Sequence, residues 1–348
     1  MERSIKNFRI NKKDKNAYKI SVNIIKLIDR FSKSNNSKLF IKEIADIFNI
    51  PKKTLEIKYK QLLHNTINYK SGNFSKVLST NIIIFLKELI KSIYLGLLVI
   101  FSSKIKRFNS YDFILNGIED KRSFDRYRLL INKFKKPLVI SKRKLAFKEK
   151  NVSFFYNSLF FTTSSQQLNG KKKRIFCLFL KTILMSIKHG FNYLYFLNLI
   201  IFSILKNFRI FEENRGKYYM EDRFYNTCSI RNYYFKKFGG ILTSTPQKNI
   251  LETCISYYID TDIFFSLAEE KYSGQRIKIL GGNIKKTIPV GSFFLEHDWY
   301  SRKRDHKSIP KIDILFMGMN PNDWLYINNE NYYNYEHLNR SWIKKISL

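Results

Sequence analysis

The chain has 348 residues, a formal net charge of +35 at pH 7, 44% hydrophobic residues and 16% aromatic residues. That length and apolar content suit two packed domains or one large one, and the charge calls for an anionic partner, either nucleic acid or an anionic membrane surface, unless it only reflects an AT-rich genome. Cys177, Cys228 and Cys254 are scattered, with no CxxC or Cys/His cluster, which argues against a zinc site or a disulfide framework. The opening residues MERSIKNFRINKKDKN are basic but lack an apolar core, so no secretory signal is expected.

Residues 1–74 read as a basic helical region, with sixteen Lys/Arg against six Asp/Glu over residues 1–60. Inside it, IKEIADIFNIPKKTLEIKYK (Ile41–Lys60) has the pattern of a helix-turn-helix. Ile44, Ala45, Phe48, Ile50 and Leu55 fall at packing positions, and Asn49 suits a left-handed turn. Lys52, Lys53 and Thr54 would open a recognition helix, whereas Lys58 stands where such a corner normally packs inward.

Residues 81–101 are almost continuously apolar, interrupted by Lys87, Glu88, Lys91 and Ser92, which share one helix face. Three charges near the middle suit an interfacial or buried helix better than a spanning one. Residues 175–205 repeat that character, broken by Lys181, Lys188, His189 and Asn192, and read as one apolar helical stretch. Both stretches run into cationic sequence, and residues 102–174 between them carry nineteen Lys/Arg against five Asp/Glu. Apolar helices with Lys/Arg borders are the equipment of an anionic membrane surface; core helices of an α/β domain are the structural alternative.

Short strands are expected at Pro137–Ser141 and Val152–Ser158. Lys217–Phe238 reads as a helix stopped by Gly239 and Gly240. Apolar runs then recur at Ile241–Thr245, Ile263–Leu267, Thr287–Gly291 and Ile312–Gly318, each ending in small or polar residues. Runs without alternation fit strands covered on both faces, so a Rossmann-like parallel α/β sheet is expected. Ligands of such sheets sit at the carboxyl ends of the strands. The loops that follow supply Gln247 and Lys248, then Gly291 and Ser292, then Gly318 and Asn320, residue types suited to a phosphate or a sugar hydroxyl. Asp260-Thr261-Asp262 could hold a divalent metal against a diphosphate, but it precedes its strand, and no metal site is assigned. Of the titratable trio Glu296-His297-Asp298, sequence neighbours cannot converge on one substrate atom, so one is expected to face a site. No GxGxxG, Walker loop or GxSxG elbow occurs.

TDIFFSL (Thr261–Leu267), PVGSFFLEHDW (Pro289–Trp299) and DILFMGMN (Asp313–Asn320) together resemble bacterial surface-carbohydrate biosynthesis proteins. These are glycosyltransferases of the two-Rossmann-domain (GT-B) type, similar to CDP-glycerol glycerophosphotransferases. The resemblance covers about residues 215–348. It implies an acceptor domain over residues 75–310 that carries the apolar helices. It also implies the first strand and helix of a donor domain over 311–348, whose remainder would lie beyond the chain, leaving transfer incomplete in this chain alone. The implied activity is glycosyl or glycerophosphate transfer in surface polysaccharide biosynthesis. Donor and acceptor would be a nucleotide-activated sugar or CDP-glycerol and a lipid-linked glycan, at the cytoplasmic face of the inner membrane. No cofactor is implied. Glu296 is the candidate base, Gln247, Lys248, Gly291 and Ser292 the substrate-binding residues, and Gly318 and Asn320 the donor-binding pair. The alternatives are a helix-turn-helix DNA-binding regulator built on residues 37–60 and a membrane-associated protein without chemistry; nucleic acid ranks behind the membrane as partner.

Overall fold

A computed structural model describes residues 35–68, 82–104, 107–141, 143–156, 163–221, 227–245, 258–266, 277–278 and 281–289. The helices are α1 (Asn35–Phe48), α2 (Lys52–Asn68), α3 (Ile82–Ile100), α4 (Lys121–Arg126), α5 (Arg128–Ile131), α6 (Ser165–Leu168), α7 (Lys172–His189), α8 (Tyr193–Glu213) and α9 (Ser229–Lys237). The strands are β1 (Asn109–Ile118), β2 (Pro137–Ser141), β3 (Ser153–Tyr156), β4 (Asn214–Glu221), β5 (Ile241–Ser244), β6 (Asp260–Ser266) and β7 (Asn283–Pro289). All seven lie parallel in the order β3-β2-β1-β4-β5-β6-β7. The fold is α/β and Rossmann-like: the order runs outward in both directions from β1 and β4, the doubly wound arrangement.

Both faces of the sheet are covered, which is why its strands show no polar alternation. Ile114, Leu138, Ile140, Tyr219 and Leu242 turn to one face and join a large core built by α1, α2, α3, α7, α8 and α9. Phe113, Leu115, Val139 and Met220 turn to the other and pack on Phe124, Tyr127 and Ile131 of the α4–α5 segment. Helix α8 is the axis of the thicker layer. It is long and apolar enough to span a bilayer, but more than half of its apolar window is buried in protein.

Two expectations are corrected. Residues 175–205 are not one helix: Gly190 takes a left-handed φ of 60° and ends α7, and Asn192 caps α8 by accepting from the Tyr195 N–H at 3.0 Å. Nor is Lys217–Phe238 a helix. Its first five residues belong to β4, pairing with β1 from Asn109↔Asn214 to Asn116↔Glu221, and the helix begins only at Ser229. The aromatic run Tyr218-Tyr219 favours a strand once a partner edge is available. The glycine stop is present, with Gly239 at φ 88°.

The α1–α2 corner has Asn49 at φ 52°, and Ile44, Ala45, Phe48, Ile50 and Leu55 are buried. Helix α2 turns Leu55, Tyr59, Leu62 and Leu63 inward, at the spacing of one apolar face. The corner is tied to α9, whose Ser229 hydroxyl donates to the Thr54 carbonyl at 2.8 Å and whose Tyr233 hydroxyl donates to the Asn49 carbonyl at 3.1 Å.

The Asp260/Asp262 pair stands at the amino edge, within the first residues of β6, and lysines neutralise it. Lys236 reaches both carboxylates, at 3.1 and 3.5 Å, and Lys285 lies 2.8 Å from Asp262. The Leu242 N–H also donates to Asp262 at 2.9 Å. Burial pushes the Asp262 carboxyl up, yet these partners hold it below its usual value. It is a strut between β5, β6 and β7.

Gly240 sets the spacing between α9 and β4. A Cβ there would stand 2.2 Å from the Phe235 ring and 2.8 Å from the Gly216 carbonyl, and backbone cannot move aside as a flexible side chain can. Gly240→Ala is expected to destabilise the protein by about 1–3 kcal/mol. Urea unfolding followed by circular dichroism checks this; an unchanged midpoint would refute the close approach.

Candidate functional site

In an open parallel sheet, the loops on either side of the reversal point leave in opposite directions and open a crevice at the carboxyl edge. Here that place is the end of β1 and β4, with the start of α9 beside it. Parallel register sets Asn116 opposite Glu221. Tyr219 lies two residues before Glu221, so the period of two puts both on the α9 side of the sheet.

These residues form one polar cluster roofed by α9. The Asn116 amide donates to the Tyr219 hydroxyl at 2.7 Å. Arg231 donates from Nη1 to Glu221 at 2.6 Å, and its guanidinium lies 5.1 Å from the centre of the Tyr219 ring. Arg231 is 7% exposed, and its Nε and Nη2 have no partner among the described residues. Burial works against its charge, but Glu221, Tyr219 and Cys228 together outweigh burial and keep the guanidinium protonated. At the end of β5, Ser244 is fully buried, and its hydroxyl likewise has no partner among the described residues. A guanidinium with unused donors, beside a hydroxyl and a helix start, is suited to a phosphate or carboxylate oxygen.

Cys228 occupies the N-cap of α9. Burial raises its thiol, but the charges of Lys58 and Arg231 and the Arg231 backbone N–H outweigh burial and Glu221, so the thiol is more acidic than usual. Lys58, out of place for a helix-turn-helix, thus acts on the sheet's carboxyl edge. The corner brings a second cation to the cluster.

The residues expected from the sequence to bind substrate or donor, Gln247, Lys248, Gly291, Ser292, Gly318 and Asn320, and the candidate base Glu296, lie outside the described residues. Gln247 and Lys248 follow the end of β5 by a few residues in sequence. Asn116, Tyr219, Glu221 and Arg231 escaped the sequence reading. They belong to no motif, and their proximity depends on pairing β1 with β4 across 103 residues. A cleft of about 580 Å³ between Arg128, Phe134, Pro137, Glu149 and Val152 opens at the opposite, amino edge of β2. Among the described residues no group of three or more His, Cys, Asp or Glu could hold a metal.

A second feature is the outer face of α3 and α7. Helix α3 turns Glu88 and Ser92 inward, where Asn198 of α8 accepts from the Ser92 hydroxyl at 2.9 Å and donates to the Glu88 carbonyl and carboxylate at 2.8 and 3.1 Å. Outward it shows Ile83, Leu86, Ile90, Ile93, Leu97 and Ile100, spaced alternately three and four residues apart. Helix α7 buries Thr182 and Ser186 while exposing Phe176, Leu180, Leu184 and Ile187. The two helices meet where the Phe176 ring lies against Gly96. Both helices thus bury some polar side chains and show apolar ones outward, unlike surface helices in water. Helix α3 also buries Leu95 and Val99, and α7 buries Ile175, Leu178 and Phe179. Lys87, Lys104, Arg107, Lys172, Lys173, Arg174 and Lys188 are exposed around this face. Compared with protein-family models, curated proteins and solved structures, the chain has no match.

With Cys177 and Cys254 replaced by Ser, iodoacetamide should alkylate Cys228 with a pH midpoint below the roughly 8.5 of a free thiol. Lys58→Met should move that midpoint upward, because it removes the largest of the attractive charges. A midpoint unmoved by Lys58→Met would show that the corner does not deliver its charge to the edge.

Proposed function

We propose that this chain is the acceptor domain of a surface-polysaccharide transferase that works as a peripheral protein on the anionic, cytoplasmic face of the inner membrane. It moves a glycosyl or glycerophosphate group from a nucleotide-activated donor to a lipid-linked glycan. The carrying observation is the buried Arg231 guanidinium, with donors to spare, at the crossover edge of a doubly wound sheet. That is the place and chemistry for a phosphate-bearing substrate.

In such a transfer the acceptor hydroxyl oxygen bonds to the donor carbon or phosphorus as the bond to the departing nucleotide breaks. The hydroxyl proton passes to a base, for which Glu296 is the candidate. Arg231 offsets negative charge on the phosphate, worth most in a site that excludes water. Glu221 and the Tyr219 ring hold the guanidinium in one orientation, so little rotamer freedom remains to be lost on binding. With donor, acceptor and a donor domain supplied in trans, transfer should appear, and Glu296→Gln should remove most of it. Arg231→Lys should raise KM for the phosphate-bearing substrate more than it lowers kcat. A fully active Glu296→Gln enzyme would remove Glu296 as base, and an unchanged KM in Arg231→Lys would remove the phosphate role.

The exposed apolar faces of α3 and α7 support the location. Moving an Ile or Leu side chain out of water contributes roughly 1.5–3 kcal/mol, and nine such side chains and a Phe ring face outward with lysines around them. The protein should sediment with vesicles containing phosphatidylglycerol, and high salt should release only part of it, since salt screens the ionic attraction and leaves the apolar one. Ile90→Asp with Leu184→Asp should abolish sedimentation without unfolding the protein, because both side chains are exposed. Full recovery of the wild type in the supernatant at low salt would end the peripheral-membrane reading.

A further inference from the structure

A separate cleft of about 320 Å³ lies at the amino edge of the sheet, on the helical side. The α1–α2 turn, α6, the end of α8, the start of β4 and the end of α9 enclose it. Three cations line it: Lys171, Arg215 and Lys237. The only carboxylate among its lining residues is Glu212. Arg215 sits on aromatic rings, 4.3 Å from the centre of Phe108 and 5.5 Å from that of Phe238. Such stacking fixes a guanidinium without using its hydrogen-bond donors. Neither Lys171 nor Lys237 forms an ion pair among the described residues.

The neutral groups in the cleft are arranged to match. Gln167 is 4% exposed; its amide nitrogen donates to the Tyr234 hydroxyl at 3.0 Å, and its oxygen has no partner among the described residues. Having accepted that bond, the Tyr234 hydroxyl keeps its own proton to give. Burial raises the Glu212 carboxyl despite Ser164, Arg209 and Arg215. Burial, Lys237 and Arg174 lower the Lys171 ammonium, the mark of positive charges gathered without a counter-ion. The cleft thus offers three cations and a neutral donor for an anion, and one buried acceptor for a hydroxyl.

We propose that this cleft binds a phosphate group that carries an ionisable hydroxyl, as a phosphomonoester does. Lys171, Arg215 and Lys237 would take its anionic oxygens, Tyr234 would donate to one of them, and the Gln167 oxygen would accept the hydroxyl. Lipid-borne phosphate is the favoured source. Lys171 directly precedes α7, and the next residue, Lys172, donates to the Ile100 carbonyl at 3.1 Å and so ties α7 to the end of α3. The cleft therefore lies beside the end of the apolar helix pair, where a headgroup would be found if the chains lie along that face. The lipid source rests on the membrane reading above; the phosphate site does not.

The test uses the full chain and the double variant Lys171→Met/Lys237→Met, with circular dichroism confirming that both are folded. In the first arm, Tm is measured in inorganic phosphate and in chloride at matched ionic strength. Phosphate should raise the wild-type Tm more than the variant's, because a bound ligand stabilises only a protein with its site intact. In the second, sedimentation is compared on phosphatidylcholine vesicles carrying phosphatidate, a phosphomonoester, or phosphatidylglycerol, a diester, at equal surface charge. The wild type should bind the phosphatidate vesicles roughly tenfold more tightly, and the variant should lose that preference while keeping general anionic binding. Equal Tm gains in the two proteins would overturn the site. A gain confined to the wild type without any lipid preference would support the phosphate site and overturn the lipid source. Failure of the wild type to sediment with any vesicle would overturn the membrane reading and the lipid source with it, and the Tm arm would still decide the site.

Discussion

One buried amide sets the orientation of the helical layer. Asn198, at the heart of α8, binds Ser92 and Glu88 of α3 at once, and Lys91 closes on Glu88 from outside at 2.5 Å. Turning α3 to hide its isoleucines would leave these groups unpaired, at about 1–3 kcal/mol each. It would also expose Leu95 and Val99, which are buried. Against this, burying six Ile and Leu side chains would gain roughly 1.5–3 kcal/mol apiece. In water alone the second sum is the larger. The observed orientation is stable when the outer face leaves water by another route, and a lipid surface would provide one.

The same layer decides what reaches the sheet edges. Because α9 is short and follows β4 directly, its first turn carries Cys228 and Arg231 to the carboxyl edge and its last turn carries Lys236 and Lys237 to the amino edge. The α1–α2 corner is bonded along α9 and contributes Lys58 at one end and Phe48 and Asn49 at the other. The corner that resembles a helix-turn-helix is, in this fold, a wall shared by the Arg231 cluster and the Arg215 cleft.

The parts legible in the sequence are those fixed by local chemistry. Pro137–Ser141 is a strand, Asn49 takes the left-handed turn, Gly239 and Gly240 end their helix, and the runs after Ile241 and Ile263 fall on β5 and β6. The two central strands were not legible. β1 lies within a strongly basic stretch, and β4, with its arginine, lysine and tyrosines, suits a helix as well as a strand until β1 stands beside it. The candidate cluster went unseen for the same reason, since it exists only where those two strands meet. A sequence can announce a phosphate loop through glycines. It does not announce an arginine that becomes polar equipment only by being buried.

The central pairing also shapes how the chain reaches this state. Asn116 and Tyr219 stand 103 residues apart, with β2, β3 and five helices between them, whereas β6 and β7 are near neighbours in sequence. Closing so long a loop is entropically costly and is rewarded only when β4 docks. During synthesis, α3 and α7 emerge from the ribosome before β4 exists to complete the sheet beneath them. For that interval their apolar faces have no finished body behind them, and such exposed segments are prone to self-association. A nascent chain that rests those faces on a bilayer would fold its sheet from an already anchored layer, with the membrane serving as a template for assembly.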